Sequence, residues 1–434
     1  NFTLKDHQNN QMNYTVVTSP DIGSWSDTGV TSGTEVSVTL DALNYSTTYT
    51  WEVNVTDGTY WTNRAFSFRT EFEPISNHVP THDPPLLEGG AETTYDNLIS
   101  YNQTTVDSDG DEITNTYNWY RNNVSFTNLL LPFDTRNATT VRDYSGYGND
   151  ATIQGATWTS EGIVGGAYEF NGDDYIMIPH SSSLGADGTW SEITIEHWIY
   201  LSQDQDGTRT IAKIPSYEMG FQTGRNNRIF AGVWTDNGAR QTSTYTLGLD
   251  TWYHVAMTYK DGEGLILYVN GINRRFRSWS GTIKASAGSR PETHEPLYLG
   301  WFDFFEGKID EVRIYPKALS PEQIYQRYNE TKDGLSSNST IVPQETKGRD
   351  SWKCEVTPND GLIDGLANFS ITITLVSTPP DASNLRFPQR ARNEFALSTE
   401  DVTAVYDYYD GDDDPESGTE IRWYIDFSGY DMRH

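Results

Sequence analysis

Apolar and polar residues alternate with period two along most of the chain. In residues 1–73 the alternation marks four strands, MNYTVVTS, EVSVTLDAL, TYTWEVNVTDG and AFSFRT, parted by Gly, Ser and Asn turns. EPISNHVPTHDPP follows, and its prolines predict a domain boundary. The next segment, DNLISYNQTTVDSDGDEITNTYNWYRNN, reads as a strand, an acidic loop and a strand. It is half a sandwich. Its complement, with SWKCEVTPND and FSITITLVS, comes only after residue 330. Neither half, at roughly 50 residues, closes a sandwich, whereas together they reach the roughly 100 residues such a fold needs. The pattern predicts one split domain, 78–126 plus 331–378, with Trp119 near Cys354. It also predicts that this domain folds without the residues inserted in it. YDYYDGDDDPESGTEIRWYIDF echoes VDSDGDEITNTYNWYRN, which predicts a second, partial copy over 380–434 that carries Trp423 and Tyr424.

The insert, 127–330, is dense in the same alternation: YEFNGDDYIMIP, EITIEHWIYL, TWYHVAMTYK, LILYVNGINRRF, PLYLGWF and KIDEVRIY. Two stacked sheets are the packing that buries such strands, so the predicted class is all-β, multi-domain β-sandwiches with an inserted jelly roll. One helix start stands out. In LSPEQIYQRY, Ser320 is an N-cap, Pro321 fits the first position, and Gln323 completes a capping box. Just before it, Asp310 and Glu311 are neighbours on a strand. Alternation sends them to opposite faces, so they do not form a close catalytic pair.

Three family resemblances rest on these motifs. The split domain, 78–126 plus 331–378, with the W-x-C motif from Trp352 to Cys354, resembles an immunoglobulin-like sandwich, and 380–434 resembles a partial second copy of it. The run from Leu43 to Val53, with Thr47, Tyr49 and Trp51, resembles the late strands of a fibronectin type III domain without its first strand. DYSGYGNDATI, GGAYEFNGDDYIMIP, TWYHVAMTYKDGEGLILYVNG and GKIDEVRIYPKALSPEQI resemble, in order, a laminin-G-like, concanavalin-A-like jelly roll. That resemblance implies a module that binds carbohydrate or protein, often holds a structural calcium, and is seldom an enzyme by itself.

Composition narrows the setting. Hydrophobic residues are 35% and aromatics 13%, enough to fill several β cores. The net charge of −31 disfavours nucleic acid as a partner, since phosphates are repelled. No run is long and apolar enough for a membrane span. The single Cys354 forbids an internal disulfide. Sequons at Asn1, Asn13, Asn44, Asn54, Asn102, Asn123, Asn137, Asn329, Asn338 and Asn368 predict a secreted glycoprotein at the cell surface. Both ends fall mid-domain, which predicts a segment of a longer protein.

Candidate chemistry is sparse. Glu192, Thr194 and Glu196 share one strand face, where jelly-roll glycosidases carry three acids. Thr194 stands in the place of the helper Asp, so catalysis is not expected. No His spacing suits zinc, and His254 and Cys354 read as buried core groups. Asp143 and Asn149 flank a glycine-rich turn that can wrap calcium or simply bond to itself. By resemblance Asp310 closes the same site, and Asp134 is a fourth ligand. Asp107, Asp109, Asp111 and Glu112 form a second acidic loop. Aromatics in GWFDFFEG, namely Trp301, Phe302, Phe304 and Phe305, together with Trp279, are candidate contacts for glycan or a partner.

The expected function is a non-catalytic extracellular surface protein with a structural or adhesive role. It would be a subunit of a filament, sheath or surface layer, partnered by copies of itself. The alternative is a carbohydrate-binding region of a larger secreted enzyme.

Overall fold

A computed structural model describes residues 1–40, 43–44, 47–70, 77–89, 96–185, 189–284, 295–301, 305–376, 381–386 and 405–409. The described residues are all-β apart from one α-helix, Pro321–Thr331, and two short 3₁₀ turns. The chain divides into two compact units, Asn1–Asn77 and His78–His434.

In the first unit a four-stranded antiparallel sheet runs in the order Trp25–Val30, Met12–Ser19, Thr48–Thr56, Trp61–Arg69. A small pair, Phe2–Thr3 with Glu35–Val36, accompanies it. Alternation in MNYTVV buries Met12, Tyr14 and Val16, which cluster with Leu4, Val36 and Val53.

In the second unit, segments distant in sequence pair directly. Thr81–Glu88, Leu98–Val106 and Asn338–Ile341 form one sheet. Thr114–Arg121 pairs with Ser351–Asn359 in another, placing Trp119 opposite Cys354. Trp352 is fully buried, edge-on to Trp119 at 6.2 Å and to Phe126 at 5.3 Å. Asp381–Arg386 pairs with Val405–Tyr409. Trp423 and Tyr424, the proposed echo of Trp119 and Tyr120, lie outside the described residues.

Between these segments the chain folds into two eight-stranded sheets. The first, here the junction sheet, runs Thr157–Thr159, Ala167–Asn171, Glu306–Tyr315, Glu192–Leu201, Trp252–Lys260, Gly264–Val269, Ile272–Arg277, with Leu129–Leu131 also on Glu306–Tyr315. The second, the far sheet, runs Thr140–Val141, Ala151–Gln154, Tyr175–Ile178, Leu297–Leu299, Arg209–Lys213, Tyr217–Phe221, Arg228–Thr235, Gly238–Thr246. Their inner faces enclose one apolar core that includes Ile195, Ile199, Met219, Met257 and Leu299.

The helix joins the jelly roll to the split sandwich. Ser320 caps it, accepting the Gln323 N–H at 3.2 Å. The expected capping box is only half made. The Gln323 side chain instead donates to the Thr340 carbonyl and accepts the Val342 N–H, both at 2.9 Å. Glu345 accepts the Ser320 N–H in its place. The helix lies on the outer face of the junction sheet, where Tyr328 stacks on Trp198 at 5.8 Å. Trp198 therefore packs under the helix and not in the jelly-roll core.

The jelly roll and the sandwich share a core. One buried cluster joins Leu87, Leu98, Trp119, Ile341, Trp352 and Val356 of the sandwich to Ala256, Tyr268, Tyr315, Leu319 and Ile324 of the insert.

Candidate functional site

Three regions carry the candidate residues: the junction beneath the helix, two loops with acidic side chains, and the outward face of the far sheet.

At the junction, Glu192, Thr194 and Glu196 do share a face, and the end of the domain covers it. Glu192 accepts the Ala318 N–H at 3.1 Å. Thr194 donates to the Lys317 carbonyl and accepts the Leu319 N–H. Glu196 accepts the Tyr315 hydroxyl at 2.8 Å, with His254 Nε2 at 3.3 Å and Arg327 Nε at 3.5 Å. Burial pushes the Glu196 carboxyl up, but the bond and charge of His254, with Arg313, outweigh it and the pKa is lowered. A carboxylate held ionised by cations and sealed from solvent is a structural anchor.

Asp310 and Glu311 correct the alternation argument. Ile309, Val312 and Ile314 all lie in the core, so two successive residues stay outside it. The cause is a β-bulge. Glu311 has φ +53°, and the register with Glu192–Leu201 shifts between Glu196 and Trp198. Glu311 then pairs with Arg313. Asp310 accepts the N–H groups of Ile163, Val164 and Glu311. Asp134 accepts the Gly166 N–H, bracing the same loop. Burial and the charge of Glu311 push the carboxyls of Asp134 and Asp310 well above their usual range.

Glu330, on the helix, is pushed by burial from an ordinary 4.5 up to about 7. A raised carboxyl pKa means the folded state favours the protonated form. Its contribution is therefore full below about pH 4.5 and is lost as pH rises to about 7, some 3 kcal/mol for this one group. Asp134 and Asp310 act in the same sense. Urea midpoints of the second unit should be higher at pH 5 than at pH 8; a higher midpoint at pH 8 would contradict this.

The expected calcium ligands fall into two places, Asp143 with Asn149 and Asp134 with Asp310. Asp143 is buried and accepts four hydrogen bonds, from Leu130 N–H (3.0 Å), Ser145 N–H (2.9 Å), Ser145 Oγ (2.6 Å) and Asn149 N–H (2.9 Å). Those fill the roughly four lone-pair positions of a carboxylate. Asn149 donates to the Asn128 carbonyl and accepts from Ser183. Asp134, Asp143 and Asp310 do not converge, so these residues do not fit a calcium ion. Among the described residues the acids that gather are Asp107, Asp109 and Asp111, within 4.8 Å. Asp107 accepts the N–H groups of Asp109 and Gly110, and Asp109 accepts from His78. A chelator is expected to leave the melting temperature unchanged. A fall of several degrees would show a bound ion that supports the fold.

The far sheet turns a different surface to solvent. Met177, Tyr298, Ala212, Glu218, Gly232 and Gln241 stand opposite one another in turn, one per strand. The next row is Arg209, Gly220, Phe230 and Ser243. Near the middle of the sheet Trp301, 38% exposed, stacks on Tyr298 at 4.2 Å and 30°. Gly300 makes this turn possible. Its φ is +74°, and a Cβ there would meet the Phe170 ring at 2.4 Å. The two rings line a cavity of about 320 Å³ together with Ala212, Ile214, Pro215, Glu295 and Pro296. Toward the edge strand Gly238–Thr246 a cavity of about 420 Å³ is lined by Arg209, Phe230, Gln241 and Ser243 among others.

Residues 170–325 match the laminin-G model of the concanavalin A-like lectin/glucanases superfamily. No curated protein matches the chain. Among solved structures, domain 4 of AbnA, a GH43 extracellular arabinanase from Geobacillus stearothermophilus in complex with arabinotriose, is 20% identical with a TM-score of 0.35. The match covers 46% of this chain and 96% of that one. The binding domain of Paraclostridial Mosquitocidal Protein 1 is 14% identical (TM-score 0.37, 47% of this chain, 52% of that one). The receptor binding domain of botulinum neurotoxin C/D mosaic serotype is 17% identical (TM-score 0.38, 47% and 51%). The chain thus spans about half the length of the two toxin domains.

Of the other aromatic candidates, Phe305 is a correction. It is fully buried in the jelly-roll core, edge-on to Phe170 at 5.8 Å, because it leads directly into the buried strand Glu306–Tyr315. Phe302 and Phe304 lie outside the described residues. Trp279 is half-buried, donates to Thr235 Oγ1 and is covered by Arg240. Tyr298, Arg209, Glu218, Phe230 and Gln241 were not singled out from the sequence. A signal was there: YEMGF and IFAGVW carry glycines at outward positions of adjacent strands, where a close approach is needed.

Cys354 is fully buried, and burial pushes its thiol far up. Of the sequons, Asn1, Asn13, Asn44, Asn123, Asn137 and Asn329 are exposed, and Asn54, Asn102, Asn338 and Asn368 half-buried. The Asn368 amide donates to the His82 carbonyl.

Proposed function

We propose that the chain belongs to a non-catalytic extracellular surface protein. Fibronectin type III-like and immunoglobulin-like sandwiches form an adhesive array, and the jelly roll recognises glycan at Tyr298 and Trp301. The observation that carries this reading is the Trp301–Tyr298 stack above an apolar cavity, on a sheet face that no helix covers among the described residues. Aromatic faces of this kind pack against the C–H faces of sugar rings. The burial of Thr194 and Glu196 supports a binding role over hydrolysis, since a substrate does not reach them.

The filament or surface-layer reading has its own support. Strand Trp61–Arg69 is exposed at all nine positions and pairs on one side only among the described residues. Trp61 is 71% exposed. An edge with neither proline nor acidic residue is open to strand addition by another copy.

The test is a glycan array probed with the 434-residue chain, followed by incubation with the ligands it retains. The reading expects retention with no released products. Cleavage of a retained glycan, or an array with no ligand, would overturn it.

A further inference from the structure

The ledge at Trp301 lies beside Leu297–Leu299, the fourth strand of the far sheet, and the strands that end the sheet's order have a built polar site of their own. We propose that the ligand is an uncharged oligosaccharide lying across the strands, with a second subsite at Arg209, Glu218, Phe230 and Gln241 taking its distal units. This rests on the glycan reading of the ledge.

Three observations carry it. First, the two cavities, about 320 and 420 Å³, open on one sheet face. Tyr298 and Gln241 lie in a single row of facing residues, four strand steps apart. At about 4.8 Å per step that is roughly 19 Å, several sugar rings and far more than one. Second, the row between them is low. Gly232 lets the Glu218 and Gln241 side chains lie flat over it, with their Cγ atoms 3.3 and 3.0 Å from where a Cβ would stand. Third, the distal site is preorganised and neutral. Glu218 is 1% exposed. Its Oε2 accepts Arg209 Nε, and its Oε1 accepts Gln241 Nε2 at 2.7 Å. The guanidinium rests on the Phe230 ring at 4.6 Å.

These contacts set the ligand class. The charge of Arg209 is already cancelled by a buried carboxylate, so an anionic sugar gains no ion pair there, and a chain of net charge −31 repels it. Arg209 Nη2 and the Gln241 carbonyl oxygen have no hydrogen-bond partner among the described residues. A donor beside an acceptor over an aromatic ring suits the hydroxyls of a neutral sugar, which both give and take a proton.

The test is calorimetric titration of the 434-residue chain with neutral cello-, xylo- and manno-oligosaccharides of one to six units, and with oligogalacturonides. Affinity for the neutral series that binds should climb at least tenfold from the disaccharide to the longest member. Gln241→Ala, at an exposed position, should reduce the affinity for the long ligand to that for the short one and leave the short one unchanged. Phe230→Leu should act in the same direction. Trp301→Ala should weaken both. Length-independent affinity that is still sensitive to Trp301→Ala would overturn the distal subsite and leave the ledge standing. Tighter binding of oligogalacturonides would overturn the neutral class. No binding by any probe would remove the glycan reading and this inference with it.

Discussion

Excising residues 127–330 and closing the gap with a short linker is expected to leave an unfolded chain. The alternation of 78–126 and 331–378 predicts the opposite, a sandwich that stands alone. The shared core decides between them. Ala256, Tyr268, Tyr315, Leu319 and Ile324 are at most 3% exposed and pack in one cluster with Trp119, Trp352 and Val356. Losing a large buried apolar side chain removes about 1.5–3 kcal/mol. Several such losses match the roughly 5–15 kcal/mol that holds a domain together. The excision also strips partners from the Thr340 carbonyl, the Val342 N–H and the Ser339 hydroxyl. Calorimetry of the excised chain should show no cooperative transition, whereas the intact second unit should melt as one. A dispersed proton spectrum from the excised chain would mean that the sandwich closes its own core.

Arg313→Met is expected to cost about 3–5 kcal/mol, because removing one partner of a buried pair leaves the other charge unpaired. Arg313 is 8% exposed and bonds to Glu311, which is 7% exposed. Its charge also helps hold Glu196 ionised. For a unit of this size the loss lowers the melting temperature by roughly 10 °C. Arg313→Met with Glu311→Leu should recover much of it, since no charge is then stranded at that pair. Equal melting temperatures for Arg313→Met and the wild-type chain would show that the cluster carries no such load.

What could be read from the sequence follows period and composition. Alternation in SWKCEV and TYNWYR puts Trp352, Cys354, Val356 and Tyr117, Trp119 on single faces, and the strands bury those faces. Ser320 and Pro321 mark the helix start because capping is local chemistry. Features that depend on distant packing were not legible. The bulge at Glu311 needs its partner strand, so alternation misplaces Asp310. Gln323 fits a capping box, but the neighbouring sandwich offers it two backbone groups instead. Asp143 and Asn149 look like metal ligands until the N–H groups of Leu130 and Ser145 are seen to use the oxygens. Trp301 was legible as a candidate contact, although PLYLGWF read as a strand that runs past Leu299. Its ledge was not, because Tyr298 and Ala212 meet only through sheet order.

The most direct test of glycan recognition is titration calorimetry of the strongest array ligand against the wild-type chain and Trp301→Ala, with both melting temperatures measured. Trp301 lines the cavity and lies outside the core clusters. The account predicts that Trp301→Ala loses at least tenfold in affinity while melting unchanged. Equal affinity for the two proteins would contradict it.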